Sequence, residues 1–301
     1  MIPSFPQFKN LEISDREEIQ KIASSFLPYS DFDFASLWSW NIYGLFKVSK
    51  LNGNLVVILT DHFTNELFYS FIGNHKVNET IKQLFAFPIS NQRTPTLKLI
   101  PEECLKGVDF DKFIIEIDLS NYDYIYDAHE HSTFSGAKYS SKRKLYNRFV
   151  RSYPNHSIVL TEINEKLKGS IMELSRVWVE SKAQAEIAFD WGKELLALKR
   201  FLDCNDPRAL VVAVHENDKL IGFDLVTISH GNYAISHFSK TDVKYVGIYE
   251  YLVGRGSALL AQEKGIQFVN AEEDLGLPSL RYSKNSYRPV KFLQKYIINE
   301  R

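Results

Sequence analysis

Apolar and polar residues follow the same order of periodic patterns in the two halves of the chain. Each half opens with segments at helical spacing, namely residues 13–27, then 165–182 and 194–204. β-Rich segments joined by turns come next. The first set turns at Asn52 and Gly53, and the second set runs from Ala209 to Lys240. The pattern therefore predicts helices followed by an antiparallel meander in each half.

The segments after each meander extend this repeat. Residues 76–88 predict a helix, and residues 96–101 and 113–119 predict strands. In the second half, a helix over 248–265 precedes a strand over 266–272, a helix that Pro278 opens and a last strand over 291–298. This order is typical of an acetyltransferase-like (GNAT) unit. We therefore predict an α/β (α+β) fold, a tandem of two GNAT-like units with mixed, mostly antiparallel sheets flanked by helices.

No low-complexity linker separates the two halves. The chain of 301 residues has room for two units, and the segment 151–157 is the best boundary between them. We predict a degenerate N-terminal unit over residues 1–152 and a C-terminal unit over residues 153–301 that carries the site.

Composition and charge narrow the class of protein. The net charge of −1 means that any binding of nucleic acid must depend on a local basic patch. Cys104 and Cys204 fit neither a disulfide framework nor a zinc site, and a reducing cytoplasm suits them best. His129 and His131 have no third ligand at a familiar spacing, so we predict no metal. Neither a signal peptide nor a transmembrane segment is visible, and we expect a cytoplasmic protein whose oligomeric state the sequence leaves open.

A run of basic residues lies near the predicted boundary. It contains Lys138, Lys142, Arg143, Lys144, Arg148 and Arg151, with no acidic residue between Glu130 and Glu162. In a helix, positions 144, 148 and 151 share one face. A solvated helix surface is one explanation of this run. Because no acidic residue offsets its charge, a phosphate-rich partner is the other, and we predict that Lys138, Lys142, Arg143, Lys144 and Arg148 bind one.

Two groups lie where a GNAT-like unit carries its reaction site. His237 and Lys240 end the third meander strand, and His237 is a candidate general base, with a hydrogen-bonded structural histidine as the alternative. A helix that binds coenzyme A usually starts with small residues, which let the pyrophosphate approach backbone N–H groups. Here Tyr249 replaces the last small residue and would crowd a pyrophosphate. We therefore predict no bound cofactor, and coenzyme A is the less favoured alternative.

Several segments together resemble a known family. They are "DFDFASLWSW", "SGAKYSSKRKLYNRF", "HFSKTD", "GIYEYL" and, most specifically, "NAEEDLGLPSLRYSKNSYRPV". These segments are similar to the C-terminal catalytic domain of the bacterial phosphatidylglycerol lysyltransferases and their soluble relatives. The resemblance implies a tandem GNAT fold, shared with the Fem-type peptidoglycan aminoacyltransferases. It also implies transfer of an aminoacyl group from the acceptor end of aminoacyl-tRNA to an amine or hydroxyl acceptor.

The last of these segments separates acidic from basic residues. Glu272, Glu273 and Asp274 follow a predicted strand, and Arg281 and Lys284 lie three positions apart on the next predicted helix. For aminoacyl transfer, we hypothesise that the carboxylates hold an ammonium group or accept the nucleophile's proton. The two cations would neutralise phosphate or a developing oxyanion. An internal ion-pair network is the alternative.

The remaining binding residues and functions complete the predictions. Lys240, Tyr249, Tyr287 and Arg288 are assigned to substrate or tRNA binding. The chain shows no membrane-spanning half like that of the membrane enzymes, so a small-molecule or peptide acceptor is expected before a lipid headgroup. One alternative is an acyl-CoA-dependent N-acyltransferase that tolerates Tyr249. The other is a non-catalytic ligand-binding or regulatory module.

Overall fold

The computed structural model describes residues 1–89, 95–183 and 191–301, apart from the side chains of residues 182 and 183. The strands, numbered in chain order, are β1 (Lys9–Asn10), β2 (Lys47–Leu51), β3 (Asn54–Thr60), β4 (Leu67–Ile72), β5 (Leu97–Pro101), β6 (Phe113–Ile117), β7 (Asp123–Asp127), β8 (His156–Thr161), β9 (Ala209–Glu216), β10 (Lys219–Ile228), β11 (Tyr233–Thr241), β12 (Phe268–Asn270), β13 (Lys291–Leu293) and β14 (Lys295–Glu300). The α-helices are α1 (Arg16–Ala23), α2 (Phe34–Trp40), α3 (Val77–Phe85), α4 (Ala128–Thr133), α5 (Ser140–Ser152), α6 (Glu165–Ala183), α7 (Trp191–Cys204), α8 (Ile248–Lys264) and α9 (Pro278–Ser286).

The first compact unit comprises residues 1–123, 273–278 and 292–301. Its seven-stranded sheet has the order β1-β2-β3-β4-β5-β14-β6. Strands β2, β3 and β4 form an antiparallel meander, and β5 runs parallel to β4. The C-terminal strand β14 lies antiparallel between β5 and β6. The central strand β3 is almost wholly buried and apolar, as expected for a strand covered on both faces.

The second compact unit comprises residues 124–272 and 279–291. The other seven-stranded sheet has the order β8-β9-β10-β11-β12-β7-β13 when read in the same direction. Strands β9, β10 and β11 form its meander, β12 runs parallel to β11, and β7 lies antiparallel beside β12. The two sheets therefore share one topology, with helix pairs before each meander and one helix after it. This repeat confirms the predicted tandem of GNAT-like units with mixed, mostly antiparallel sheets.

The structure divides the chain elsewhere than at residue 152, the predicted boundary. Strand β7 pairs with β12, and α4 packs against α8, so both belong to the second unit. The C-terminal strand returns to the first unit because β14 completes the sheet between β5 and β6. The single strand predicted over 291–298 is correspondingly two strands. They are interrupted at Gln294, whose carbonyl accepts the N–H of Glu102.

Close packing of α5 on α8 organises the second unit. Gly247, at the start of α8, has φ +89°, and an added Cβ there would lie 2.1 Å from the carbonyl oxygen of Leu145. Phe149, fully buried on α5, packs into the same core as Val212 and Tyr251. The helix ends at Gly265 in the left-handed conformation, as the sequence predicts. Within the described ranges, no helix has the length and apolar character needed to cross a bilayer.

Candidate functional site

In the second unit, β11 and β12 pair over only three residues before they part. Tyr233, Ala234 and Ile235 have partners on β12, whereas β11 continues to Thr241. Across residues 236–241, β10 is the strand partner of β11 within the described part of the chain. Polar side chains gather where the strands part, and we call them the gap cluster: Asp224, Ser236, His237, Ser239, Tyr249 and Glu272.

A β-bulge shapes one side of the gap cluster. Leu225 pairs with Phe238, but the next residue of β10, Val226, pairs with Ser236, so His237 is the extra residue. A bulge changes the direction of side chains at a strand edge. Nε2 of His237 lies 2.8 Å from the hydroxyl of Thr227, and Nδ1 lies 3.0 Å from Oε1 of Glu272. The bulge thus lets one imidazole link β10 to Glu272, two residues after the end of β12.

These contacts favour the structural alternative for His237, and its assignment as a general base stays a prediction. Its side chain is only 2% exposed, and both ring nitrogens lie within hydrogen-bond distance of protein groups. With Nδ1–H donating to Glu272, Nε2 accepts from the Thr227 hydroxyl. In this arrangement the lone pair of Nε2 is directed at Thr227, a buried residue of the protein. His237 instead fixes the direction of the Glu272 carboxylate, close to the structural role named as the alternative.

The backbone also holds Glu272 in place. Its φ is +58°, which is uncommon for a residue with a long side chain. The N–H of Glu272 donates to Oδ1 of Asn270 at 2.8 Å, and its carbonyl accepts the N–H of Tyr124 at 3.0 Å. A residue kept in this region by surrounding contacts is typical of functional sites.

Asp224 is the ionisable member of the gap cluster that the sequence analysis missed. The hydroxyl of Ser236 donates to its carboxylate at 2.6 Å. Burial raises the pKa of Asp224 to about 6, although the bond from Ser236 acts in the opposite direction. No cation lies within ion-pair distance among the described residues. The available signal was one acidic residue inside the apolar run "LIGFDLV".

Tyr249 borders the same cluster from the first turn of α8. Tyr249 is 37% exposed, and its ring packs edge-on against that of Tyr287 with 5.7 Å between the ring centres. Burial of the hydroxyl, together with the nearby charge of Asp224, raises the pKa of Tyr249 to about 12. A hydrogen bond with Ser239 acts in the opposite direction and lowers the pKa by less. The phenol therefore stays protonated at neutral pH and remains a hydrogen-bond donor.

The predicted acidic group does not form one cluster. Glu272 bonds to His237 in the second unit. The side chain of Glu273 belongs to the first unit, where it lies 3.7 Å from Nζ of Lys295. Asp274 is fully buried in the first unit and accepts the N–H of Gly276 at 2.8 Å, which forms a turn. The three carboxylates therefore have separate partners, and a joint role in the reaction stays a prediction.

Lys295 is the centre of a second polar group, which sequence reasoning missed. Its side chain is fully buried and contacts Asp31, Asp123 at 2.6 Å and Glu273; we call these four residues the lysine cluster. Burial alone would lower the pKa of Lys295, but the carboxylates outweigh it and raise the pKa well above 10.5. Burial raises the pKa of Asp31 to about 8 despite the attraction of Lys295.

The predicted catalytic cations lie on α9. Nζ of Lys284 donates to the carbonyl of Ala271 and lies 3.4 Å from that of Glu272. This side chain therefore ties α9 to the end of β12 through backbone oxygens, which is closer to the internal-network alternative than to an oxyanion role. Arg281 is half-buried on the same helix, and its carbonyl accepts from Asn285.

Most of the predicted binding cations have internal partners. Lys138 pairs with Glu130 at 2.6 Å, and Arg143 donates to the carbonyls of Phe134 and Gly136. The ammonium of Lys142 lies 3.5 Å from the ring centre of Tyr287 and 3.6 Å from Glu250, and burial lowers its pKa. Lys240 pairs with Glu194 and lies 3.9 Å from the ring centre of Trp178. These contacts give each cation a structural function.

A smaller set of predicted residues faces solvent. Lys144, Arg148 and Arg151 are exposed on one face of α5, which we call the basic face. Within the described residues, Lys144 and Arg148 form no ion pair. Arg288 is also exposed, whereas Tyr287 is buried and donates its hydroxyl to Glu250 at 3.1 Å. A ligand from solvent can reach the basic face and Arg288 without breaking an ion pair among the described groups.

Comparison with known proteins links this chain to one family. The family described as "Phosphatidylglycerol lysyltransferase, C-terminal" matches residues 25–299. An uncharacterized protein of Mycoplasmoides gallisepticum is 24% identical over 308 aligned positions, which cover 94% of this chain and 95% of that protein.

Three solved structures share the fold. A conserved protein of unknown function from Bacteroides thetaiotaomicron superposes with a TM-score of 0.84 at 24% identity, over the full length of both chains. The C-terminal domain of a putative lysylphosphatidylglycerol synthetase from Agrobacterium fabrum gives 0.64 at 12% identity, over 95% of this chain and 92% of that one. L-PGS from Bacillus licheniformis gives 0.62 at 15% identity, over 100% of this chain and 94% of that one.

Proposed function

Because the chain belongs to the family of phosphatidylglycerol lysyltransferase C-terminal domains, we propose that it is an aminoacyltransferase. In this proposal it moves an aminoacyl group from aminoacyl-tRNA to an amine or hydroxyl acceptor. The match over residues 25–299 carries the proposal, since it includes both units and all of the gap cluster. The family supports a transferase. The tRNA donor and the acceptor are the proposed part.

The basic face supports a polyanionic donor. Lys144, Arg148 and Arg151 are exposed together on α5, and the molecule as a whole has a net charge of only −1. A local patch of this kind binds phosphates by releasing their counterions. We propose that the tRNA acceptor arm contacts this face and that Arg288 contributes a further phosphate contact.

The gap cluster supports acyl transfer. Such a reaction needs a group that accepts a proton from the nucleophile and a donor that stabilises the developing oxyanion. Asp224, with its pKa raised to about 6, suits the first role, and the protonated hydroxyl of Tyr249 suits the second. Neither role needs a resident cofactor, and aminoacyl-tRNA is then the co-substrate. Tyr249 in the first turn of α8 disfavours coenzyme A as the donor.

A transfer assay tests the proposal. The purified protein is incubated with bulk tRNA charged with radiolabelled amino acids and with a low-molecular-weight extract, a peptide fraction or phospholipid vesicles. We expect protein-dependent movement of label from tRNA into one of these three acceptor fractions, the first two before the third. Absence of transfer to all three, together with coenzyme A that copurifies, would favour the acyl-CoA-dependent alternative.

The donor is tested separately by binding. The triple variant Lys144→Gln, Arg148→Gln and Arg151→Gln should weaken binding of bulk tRNA and lower its logarithmic salt slope by about three, one for each lost phosphate contact. A matched triple variant of exposed lysines in the first unit, Lys21→Gln, Lys47→Gln and Lys82→Gln, should leave the slope unchanged. An unaltered slope in the first variant would remove the basic face from the proposal.

A further inference from the structure

We propose that Asp224 is the general base of the transfer, which rests on the proposed function and extends it to a residue. The carboxylate accepts the proton that the acceptor amine or hydroxyl loses as it attacks the aminoacyl ester. The new bond joins the acceptor nitrogen or oxygen to the carbonyl carbon, and the ester bond to the tRNA ribose breaks. The same proton then passes from Asp224 to the departing ribose oxygen, so no other reactant is needed.

The position of Asp224 suits this role. It lies on β10 opposite Ser239, beside the bulge and where β11 has parted from β12. Side chains directly opposite each other on antiparallel strands share a face, so Asp224, Ser239 and the attached Tyr249 hydroxyl surround one point. The residue as a whole is half-buried. The hydrogen bond from Ser236 holds one carboxylate oxygen in place.

The surroundings leave the carboxylate free to exchange a proton. The ionisable groups that act on it are His237, Glu272 and Tyr249, from β11, the end of β12 and α8. Among the described residues, no lysine or arginine forms an ion pair with Asp224, so its charge is not locked to a fixed cation. Burial raises its pKa to about 6, near the range in which a base is both ionised and strong enough to act at neutral pH.

The neighbouring acids and bases are engaged elsewhere. Both ring nitrogens of His237 have partners, and the Glu272 carboxylate accepts from that ring. Tyr249, whose pKa is about 12, is protonated at neutral pH and donates rather than accepts. Within the gap cluster, Asp224 is therefore the carboxylate that has a serine hydroxyl as its donor and a pKa near the neutral range.

The experiment measures single-turnover transfer from charged bulk tRNA to the acceptor fraction used by the wild-type protein, from pH 5 to pH 8. We expect the wild-type rate to rise with pH through an inflection near 6. Asp224→Asn should lower the rate by about a hundredfold or more and abolish that inflection. Asp203→Asn, on the exposed side of α7, is the matched control and should behave as wild type.

A second variant keeps the test independent of how well Asp224→Asn folds. Ser236→Ala removes the hydrogen bond that favours the charged carboxylate, so the inflection should move to higher pH. An Asp224→Asn protein with a near-normal rate, or an inflection unmoved in Ser236→Ala, would overturn the assignment and leave the proposed function standing. A wild-type protein that transfers nothing would overturn both.

Discussion

The two units bury carboxylates in contrasting ways on the same sheet topology. In the first unit, Asp31 lies against the buried ammonium of Lys295, which also contacts Asp123 and Glu273. In the second unit, Asp224 has a serine hydroxyl as its hydrogen-bond donor and no ion-pair partner among the described residues. Burial raises the pKa of both groups, to about 8 and about 6. The two carboxyl groups differ in the partner that compensates their burial, which is a lysine ammonium for Asp31 and a serine hydroxyl for Asp224.

This difference separates a structural group from a reactive one. A buried carboxylate beside a fixed cation must stay there, because removing either partner leaves an uncompensated charge. A carboxylate held by hydroxyls can gain and lose a proton without breaking an ion pair. The central strands agree with this division: β3 is almost wholly buried and carries no ionisable residue, whereas β10 carries Asp224. If Asp224 is the base, as proposed, the first unit serves as scaffold and the second carries the chemistry.

The helices that follow the two meanders, α3 and α8, also begin differently. Helix α3 follows Lys76 and α8 follows Gly247, and both preceding residues adopt left-handed backbone angles, with φ of 44° and 89°. The first position accommodates a side chain. At the second, the carbonyl of Leu145 occupies the space that a Cβ would need. Close approach of α5 to α8 is thus specific to the second unit.

The largest predicted effect is on the lysine cluster. Lys295→Met leaves three carboxylates around a buried apolar side chain and should lower the free energy of unfolding by about 3–5 kcal/mol at neutral pH. Urea unfolding monitored by circular dichroism measures this loss, with the exposed Lys82→Met as control. Equal stability of the two variants would show that Lys295 does not compensate the cluster.

An intermediate effect is expected at the start of α8. Gly247→Ala combines a positive φ with a Cβ placed 2.1 Å from a backbone oxygen, and should cost about 2 kcal/mol or more. Gly265→Ala, at φ +67° with nothing within 4 Å, should cost only about 1 kcal/mol. Thermal melting compares the two. A smaller loss for Gly247→Ala would contradict close packing of α5 on α8.

The smallest effect concerns the pH dependence of stability. Asp31 has a folded pKa of about 8, above its ordinary 3.8, so the folded state binds this proton more tightly. Its contribution to stability is complete below pH 3.8 and is lost as the pH rises through about 8, so the free energy of unfolding falls with rising pH over this range. Asp31→Asn should remove this slope between pH 5 and pH 8.

Asp61→Asn is the control for that slope. Burial alone would raise the pKa of Asp61, but N–H groups of Thr64 and Phe63 and the ammonium of Lys98 outweigh it and the pKa is lowered. Its contribution therefore changes only at more acidic pH, and its variant should keep the wild-type slope between pH 5 and pH 8. A wild-type slope in Asp31→Asn as well would place the titrating group elsewhere.

The sequence predicts the repeated architecture better than the partners of individual residues. The periodic pattern locates α8 and α9. Gly265 marks the end of α8, and Pro278 marks the start of α9. The pattern also places the basic face on α5, because helical spacing determines which side chains share a face. Local patterns predict these helices because the ends and faces of a helix depend mainly on nearby residues.

The candidate site depends on contacts that local patterns do not contain. Glu272 and Glu273 are neighbours in sequence, yet one bonds to His237 and the other lies near Lys295. Asp31 and Lys295 meet from opposite ends of the chain because β14 returns to the first sheet. A strand exchange of this kind has no signature in a single sequence, so the acidic segment at 272–274 was interpreted as one group.

The most direct test of the central claim compares transfer by Asp224→Asn and Asp31→Asn, each as a folded sample with a measured melting temperature. Both replace a buried carboxylate with an amide of nearly the same shape. If the second unit carries the chemistry, Asp224→Asn loses about a hundredfold or more of the single-turnover rate while its melting temperature barely moves. Asp31→Asn keeps the wild-type rate and changes only the pH dependence of stability. A fully active Asp224→Asn protein beside an inactive, folded Asp31→Asn protein would contradict the account.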